Sequence, residues 1–242
     1  MNKFKTFECL NKLGIKNAFI GRPYDFSGEN NNRINDLAKL LDIKQDKIYQ
    51  ANQTHSTNIA IIKEDDDNGS DKFDNTDGLI TNVKGNALLI KVADCQGIFL
   101  YDPVNKVIGN IHSGWKGTAD KIILKAVDKM VLEFGSNKAD IIVCINPCIG
   151  RCHFEIEDNV LDEFKEKIGD LINSYLVVGD IKDNKQKYYL DLVNLNKKLL
   201  INHGLKESNI YLSSDCTVCD SVRYYSYRKD RTTKRNGCVI VL

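Results

Sequence analysis

The stretch NALLIKVADCQGIFLYDPVNKVIGNIHSGWKG (residues 86–117) decides the fold prediction, because apolar runs and polar turns alternate along it. Three apolar runs, at 86–92, 97–101 and 107–111, have the length of buried strands. The intervening DPVNK (102–106) is rich in turn formers and predicts a turn that joins the last two strands. Polar residues follow where these runs end. The end of a strand suits a functional site, because the sheet fixes the backbone while the loop leaves the side chains accessible.

Helical and strand-like segments are interspersed through the rest of the chain. Apolar residues recur at helical spacing in four segments, at 33–42, 118–134, 157–174 and 192–203. Short apolar runs predict five further strands, at 58–63, 140–145, 187–190, 209–213 and 237–242. There is no repeat and no Pro- or Ser-rich linker, so this order favours one mixed α/β domain over residues 1–242.

The charge balance limits the classes of partner. The 242 residues include 34 basic and 33 acidic side chains, giving a net charge of +1 and no electrostatic argument for nucleic acid or an anionic membrane. No run approaches the roughly 18–20 apolar residues that a membrane span needs. No secretory segment is visible at the start, so we expect a cytoplasmic protein whose eight cysteines are reduced thiols.

The segment EDDDNGSDKFDNTDG (64–78) is acidic and rich in turn formers. This composition predicts a solvated loop. A calcium loop is the alternative, but the spacing of its ligands, D-x-[DN]-x-[DN]-G-x5-E, does not occur in the segment.

Three scarce side chains lie beside strand ends and form the first candidate site. They are His55 in NQTHS, Cys95 in VADCQG and His112 in NIHSGWKG. Two imidazoles and a thiolate suit Zn²⁺, and three protein ligands leave a fourth position for water or substrate. Two hydrogen-bonded core histidines and a buried thiol are the structural alternative.

A thiol enzyme would use the same residues. Cys95 would be the nucleophile, a histidine the base, and Asp94 or another carboxylate would orient that histidine. The sequence alone does not separate this hypothesis from zinc catalysis.

The remaining cysteines suggest a second constellation. CINPCIGRC (144–152) and CTVC (216–219) together provide Cys148, Cys152, Cys216 and Cys219, a possible structural zinc or cluster site. More than sixty residues that include complete helices separate the two groups, which favours core or loop thiols instead. His153, next to the first group, is a candidate site-lining residue.

Basic residues matter if the substrate carries phosphate. Lys116 in the W-K-G turn and Arg228 are the candidate phosphate contacts. Arg228 lies in YYSYRKDRTTKR (224–235), where interleaved tyrosines and arginines also allow a non-enzymatic RNA-binding module. Neither the G-x-G-x-x-G nor the G-x-x-x-x-G-K-[ST] nucleotide motif occurs.

Six short blocks follow one another in an order that resembles a known family. They are QTHS (53–56), ADC (93–95), HSGWKG (112–117), PCIGRCHFE (147–155), DCT (215–217) and YSYRKD (225–230). The series resembles the laccase-domain, or multicopper polyphenol oxidase-like, family, whose members are described as purine nucleoside phosphorylases with adenosine deaminase activity. HSGWKG after ADC is the most specific pair.

The resemblance implies a fold, a metal and a reaction. It implies one α/β domain with a mixed β-sandwich flanked by helices, and a zinc ion held by His55, Cys95 and His112. The implied reactions are phosphorolysis of adenosine, inosine, guanosine and methylthioadenosine, and deamination of adenosine. The expected partners are these nucleosides and phosphate, with no nucleic acid or membrane, in a monomer or small homo-oligomer.

The residue inventory disfavours the copper chemistry in the family's older name. A blue copper site takes a cysteine, two histidines and often an axial methionine, whereas the chain has four histidines and two methionines in total. Zinc would instead activate water for attack on purine C6. In phosphorolysis, basic groups must neutralise the phosphate that attacks ribose C1′. Asp94 and His153 are candidate proton donors to the leaving purine.

Overall fold

The computed structural model describes residues 4–28, 31–66 and 73–242. Part of the predicted acidic loop, residues 67–72, therefore lies outside the described residues. The described chain forms two large mixed sheets, one small sheet and surrounding helices.

The first large sheet has five strands in the order β1-β2-β14-β6-β3. All of its neighbours are antiparallel except β3 and β6, which are parallel. The strands are β1 (Phe4–Lys5), β2 (Lys16–Ile20), β3 (Ile48–Gln50), β6 (Ala87–Val92) and β14 (Asn236–Val241).

The second large sheet has six strands in the order β13-β9-β7-β8-β5-β4. The pairs β13–β9 and β4–β5 are parallel, and the other neighbours are antiparallel. The strands are β4 (Ile59–Ile62), β5 (Gly78–Thr81), β7 (Gln96–Asp102), β8 (Val107–Ser113), β9 (Ile142–Ile145) and β13 (Ile210–Leu212).

The predicted turn at 102–106 joins β7 and β8 as a hairpin. The buried Asp102 carboxylate accepts hydrogen bonds from the backbone N–H groups of Val104 and Asn105. An Asp side chain that caps the following residues stabilises such a turn. The turn fixes the register, in which Asp102 lies opposite Val107 and Gly97 lies opposite His112.

The two large sheets pack face to face, with helices on their outer faces. Phe19 and Leu88 of the first sheet meet Phe99 and Ile108 of the second in one buried core. The outer face of the five-stranded sheet packs on α2 (Asn31–Leu41). The outer face of the six-stranded sheet packs on α4 (Ile122–Phe134) and α6 (Leu192–Asn202). This is the α/β fold with a mixed β-sandwich flanked by helices, as expected from the sequence.

A third sheet, in the order β10-β12-β11, packs with helices on a further core. Its strands are β10 (Glu155–Ile156), β11 (Leu176–Lys182) and β12 (Lys185–Leu190). The helices of the described chain are α1 (Glu8–Asn11), α2 (Asn31–Leu41), α3 (Trp115–Ala119), α4 (Ile122–Phe134), α5 (Asp158–Ile168), α6 (Leu192–Asn202) and α7 (Tyr227–Asp230). Among these helices, none combines the length and the apolar character needed to cross a lipid bilayer.

Two of the predicted helices are interrupted within their apolar stripes. The segment 118–134 is divided between α3 and α4, because Lys121 takes a left-handed backbone conformation with φ of 59°. The segment 157–174 is α5 followed by a 3-10 helix, Gly169–Tyr175. Periodicity detects an apolar face but not the local dihedral angle that interrupts a helix.

The side chain of Asn110 links the two sheets through the core. Asn110 is fully buried on β8, and its amide nitrogen donates to the carbonyl oxygens of Leu88 on β6 (2.8 Å) and Cys238 on β14 (2.9 Å). Removing one partner of a buried hydrogen bond costs about 1–3 kcal/mol, because the other partner is left without one.

We therefore expect Asn110→Ala to lower the free energy of unfolding by about 2–4 kcal/mol, since two carbonyl groups lose their partner. Urea denaturation followed by circular dichroism measures this change. The matched control is Asn82→Ala at an exposed position, which should shift stability by less than about 0.5 kcal/mol. Equal effects of the two substitutions would contradict a link between the sheets at Asn110.

Candidate metal centre and pocket

The structure brings together the three side chains of the first candidate site. The possible ligand atoms of His55, Cys95 and His112 all lie within 4.8 Å of one another. Cys95 Sγ is 3.8 Å from His55 Nε2, and the two imidazole rings meet edge to face with centroids 4.8 Å apart. These residues are 40 and 17 positions apart in sequence, so only the fold makes them neighbours.

The β7–β8 hairpin positions Cys95 and His112. Cys95 lies in the short connection where the chain leaves β6 in one sheet and enters β7 in the other. Because Gln96 pairs with Ser113 across the hairpin, Cys95 comes next to the end of β8, where His112 lies. The side chain of His112 is buried rather than open to solvent.

His55 lies in a loop whose backbone is held by the carboxylate of Asp77. The backbone N–H groups of Thr54, His55 and Ser56 all donate to Asp77, at 3.2, 3.1 and 2.7 Å. His55 has φ of 63°, a left-handed conformation that is rare for a residue other than glycine. The three hydrogen bonds hold this conformation and place the His55 ring beside Cys95.

The same carboxylate orients His112. His112 Nδ1 donates to Asp77 at 2.6 Å, which leaves Nε2 as the ligand atom. Burial disfavours the charge on Asp77, but hydrogen bonds from His112 and Ser56 outweigh burial and lower its pKa to about 2. The prediction of a solvated loop at 64–78 is wrong at its C-terminal end, because Asp77 is fully buried and Gly78 begins β5.

The electrostatics of the site favour a thiolate beside an imidazolium. Burial opposes ionisation of Cys95, but the positive charge and hydrogen bond of His112, with a further hydrogen bond from His55, lower its pKa to about 6. Burial also opposes the charge on His112, whereas Cys95 and Asp77 raise its pKa to about 9. A divalent cation between these groups would replace the imidazolium proton as the counter-charge of the thiolate.

The donor set and the space around it fit zinc. One thiolate and two imidazoles are the ligand types that Zn²⁺ takes, with a fourth position for water or substrate. Gly114 lies directly against the site, because a Cβ there would be 3.0 Å from both Cys95 Sγ and His55 Cδ2. Glycine at this position therefore leaves room for the ligands to converge.

A pocket of about 500 Å³ opens onto the three residues. This volume lies within the range of small-molecule sites. Two cationic residues that the sequence does not single out as phosphate contacts, Arg235 and Lys91, line the pocket with Tyr227. Gln53 holds the pocket wall in place, since its amide exchanges two hydrogen bonds of 2.8 Å with the backbone of Lys91.

The predicted phosphate contacts and the predicted carboxylate do not line this pocket. Asp94 accepts hydrogen bonds from the Thr217 hydroxyl and the Arg228 backbone N–H, both at 2.6 Å. The Arg228 guanidinium donates to the carbonyl oxygens of His153 and Glu155. The exposed Lys116 ammonium lies 5.5 Å from the centre of the Trp115 ring.

The two cysteine groups, expected to be independent because of their separation, are adjacent in space. Cys152, Cys216 and Cys219 cluster with His153, and their possible ligand atoms lie within 4.8 Å of one another. His153 therefore belongs to this cluster and does not line the pocket. Cys148, which the sequence placed in the candidate set, is buried and lies outside this group.

The tyrosine- and arginine-rich segment 224–235 exposes few of its aromatic rings. Tyr224 and Tyr225 are buried, and the Arg228 guanidinium donates to the carbonyl oxygens of His153 and Glu155. Stacking on single-stranded RNA needs exposed aromatic faces. Of the tyrosines in this segment, Tyr227 is the exposed one.

Known proteins with similar sequences are named as enzymes of nucleoside metabolism. A purine nucleoside phosphorylase of Borreliella burgdorferi is 35% identical over 233 residues, which are 96% of this chain and 92% of that protein. Purine nucleoside phosphorylase YlmD of Bacillus subtilis is 33% identical over 75% of this chain, and the match spans 65% of that protein. Adenosine deaminase RL5, from an unknown prokaryotic organism, is 28% identical over 88% of this chain and 84% of that protein.

Solved structures share the fold. The hypothetical protein YfiH of Bacillus licheniformis superposes over the whole of both chains with a TM-score of 0.88 at 28% identity. YlmD from Geobacillus stearothermophilus superposes with a TM-score of 0.84 at 26% identity, over 94% of this chain and 92% of that one. The profile described as multi-copper polyphenol oxidoreductase laccase matches residues 27–242. Similar proteins of Bacillus subtilis and Borreliella burgdorferi are named purine nucleoside phosphorylase. Because the profile matches most of its length, the chain belongs to the multi-copper polyphenol oxidoreductase laccase family.

Proposed function

We propose that this chain is a zinc-dependent purine nucleoside phosphorylase that also deaminates adenosine. The proposal takes residues 1–242 as one cytoplasmic domain, acting on adenosine, inosine, guanosine and methylthioadenosine as a monomer or small homo-oligomer. The observation that carries it is the convergence of His55, Cys95 and His112 at a pocket of nucleoside size lined by two cations. The names of the relatives support the choice of nucleosides as substrates.

His55, Cys95 and His112 would hold the zinc. When bound, zinc supplies an electrophilic centre that lowers the pKa of a water molecule toward about 7. Asp77 fixes the tautomer of His112 by accepting the Nδ1 proton. The pairing of Gln96 with Ser113 and the hydrogen bonds of Asp77 to the His55 loop hold the ligands on a rigid backbone.

Arg235 is our candidate for binding phosphate, with Lys91 beside it. Both residues line the pocket together with the proposed metal ligands. The Arg235 backbone N–H donates to Asp25, and its guanidinium donates to the carbonyls of Thr232 and Lys234, so the side chain is held near the pocket wall. A guanidinium retains donors for an anion after such bonds, because it has five N–H groups. Arg235 and Lys91 therefore replace Lys116 and Arg228 as the proposed phosphate-binding residues.

Thiol catalysis is the second candidate function, and the lowered pKa of Cys95 favours it. In that mechanism Cys95 would attack the substrate with His55 or His112 as base. Zinc binding should shield Cys95 from alkylation, whereas a thiol enzyme would be labelled with or without zinc. Equal labelling of Cys95 in zinc-free and zinc-loaded protein would therefore favour the thiol mechanism.

The first prediction concerns the metal. We expect His112→Ala to lose one zinc per chain and to lower nucleoside turnover by more than about 100-fold. Loss of a residue that only hydrogen-bonds to a metal ligand costs about 10- to 100-fold, and His112 is a proposed ligand itself. Metal analysis and product chromatography measure the two effects. His203→Ala is the matched control, since His203 pairs with Asp128 at the end of α6. Loss of zinc with unchanged turnover would refute the mechanism.

The second prediction concerns phosphate. With adenosine as substrate, phosphorolysis consumes phosphate and yields adenine and ribose-1-phosphate. Deamination needs no phosphate and yields inosine. We expect Arg235→Ala to raise the KM for phosphate about 10- to 100-fold, since a charged hydrogen bond is worth about 1.5–3 kcal/mol. Deamination should change little. Arg231→Ala is the control, because Arg231 stacks on Tyr227 without lining the pocket. An unchanged KM in Arg235→Ala would exclude this phosphate site.

The third prediction concerns pH. Hydrogen bonds from His112 and Ser56 outweigh burial and hold the pKa of Asp77 in the folded protein at about 2, below the usual value for an aspartate. Its charge therefore stabilises the fold above about pH 4, and this contribution disappears as the pH falls through 2. Asp77→Asn should therefore lose about 2 kcal/mol at pH 7, and its deficit should shrink between pH 4 and pH 2. Urea denaturation of zinc-free protein across this pH range measures the deficit. A deficit that does not depend on pH would show that the charge is not responsible.

A further inference from the structure

The second cluster, formed by Cys152, His153, Cys216 and Cys219, lies in two loops. Cys152 and His153 belong to the turn between β9 and β10, and Cys216 and Cys219 belong to the turn that follows β13. The loops meet at an isolated parallel bridge between Cys148 and Cys216, and the Thr217 N–H donates to the Cys148 carbonyl at 3.0 Å. This backbone pairing places the four side chains together.

The four ligand atoms already have the spacing of a tetrahedral zinc site. With Zn–S near 2.3 Å and Zn–N near 2.0–2.1 Å, the tetrahedron has S···S edges of about 3.8 Å and S···N edges of about 3.5 Å. Cys152 Sγ and Cys219 Sγ are 3.6 Å apart. His153 Nδ1 lies 3.2 Å from Cys152 Sγ, 3.8 Å from Cys216 Sγ and 3.5 Å from Cys219 Sγ.

Hydrogen bonding alone does not account for this arrangement. The single atom His153 Nδ1 faces three sulphurs, but it carries either one proton or one lone pair and forms one linear hydrogen bond. A cation at the centre would contact all four atoms at once. Gly150 leaves the required space, because a Cβ there would lie 3.3 Å from Cys152 Sγ and 3.5 Å from Cys216 Sγ. The Gly150 N–H also donates to Cys216 Sγ at 3.2 Å, as donors to metal thiolates do.

We propose that Cys152, His153, Cys216 and Cys219 form a second, structural zinc site. Three cysteines and one histidine are a complete set of four protein ligands, which is the closed coordination of structural zinc. The catalytic candidate, in contrast, has three ligands and an open pocket. The second site would fasten the loop of residues 147–155 to the loop of residues 213–220.

Zinc content tests the proposal in the full-length protein. Protein loaded with Zn²⁺ alone and then desalted should retain two zinc ions per chain, and Cys219→Ala should retain one. Cys148→Ala is the matched control, because Cys148 adjoins the cluster but is not a ligand, and it should retain two. His55→Ala should also retain one, at the second site, so failure of this proposal is distinguishable from failure of the proposed function. One zinc in both the wild type and Cys219→Ala would overturn the second site.

Cobalt gives a readout that does not depend on how well Cys219→Ala folds. In Cys95→Ala the first centre has no thiolate, so thiolate-to-cobalt charge-transfer absorption must come from the second cluster. We expect that absorption to persist in Cys95→Ala loaded with Co²⁺, and its absence would overturn the proposal. Thiol titration of denatured, chelator-treated protein should find all eight cysteines free. Six free thiols, with a Cys152–Cys219 disulfide, would also overturn it.

Discussion

The buried carboxylate of Asp77 is the interaction on which the candidate catalytic centre depends. It accepts the backbone N–H groups that hold His55 in a left-handed conformation, and it accepts the Nδ1 proton of His112. Two histidines from distant parts of the chain are thus positioned by one side chain, directly before the start of β5. Because Asp77 is fully buried, water cannot replace it, and its loss would leave several buried donors without partners.

The position of Cys95 relative to His112 could be predicted from the sequence, because it follows from a local rule. The turn at 102–106 fixes the hairpin register, and counting outward from Asp102 and Val107 brings Gly97 opposite His112. The apolar runs that form β6, β7 and β8 were located correctly for the same reason, since they are long and nearly continuous. The polar residues beside these strand ends, Cys95 and His112, lie together in the structure.

Other features depended on contacts that no local pattern reveals. β2, β3 and β5 are short or carry polar residues, so they have little periodic signal, although they complete both sheets. Asp77 was assigned to an acidic loop because composition does not show that one carboxylate among many is buried. Arg235 and Lys91 line one pocket because the pairing of β14 with β6 brings their chain segments together. The composition around Arg228 predicts a phosphate contact, but its guanidinium donates to carbonyl oxygens. The two cysteine groups meet because a backbone bridge pairs Cys148 with Cys216. The sequence does not indicate this pairing, since more than sixty residues separate the two groups.

Asp94 connects the two clusters and explains why a carboxylate adjoins Cys95 without lining the pocket. It has φ of 83°, which turns the chain between the two sheets. Its carboxylate binds the hydroxyl of Thr217, next to Cys216, and the backbone of Arg228, next to the pocket residue Tyr227. Its carbonyl accepts the N–H of Ile149 at 2.9 Å. The connection that carries Cys95 is therefore anchored to both loops of the cysteine–histidine cluster, while Asp77 holds the two histidines. Asp94 is therefore the residue through which both of these loops contact the connection that carries Cys95.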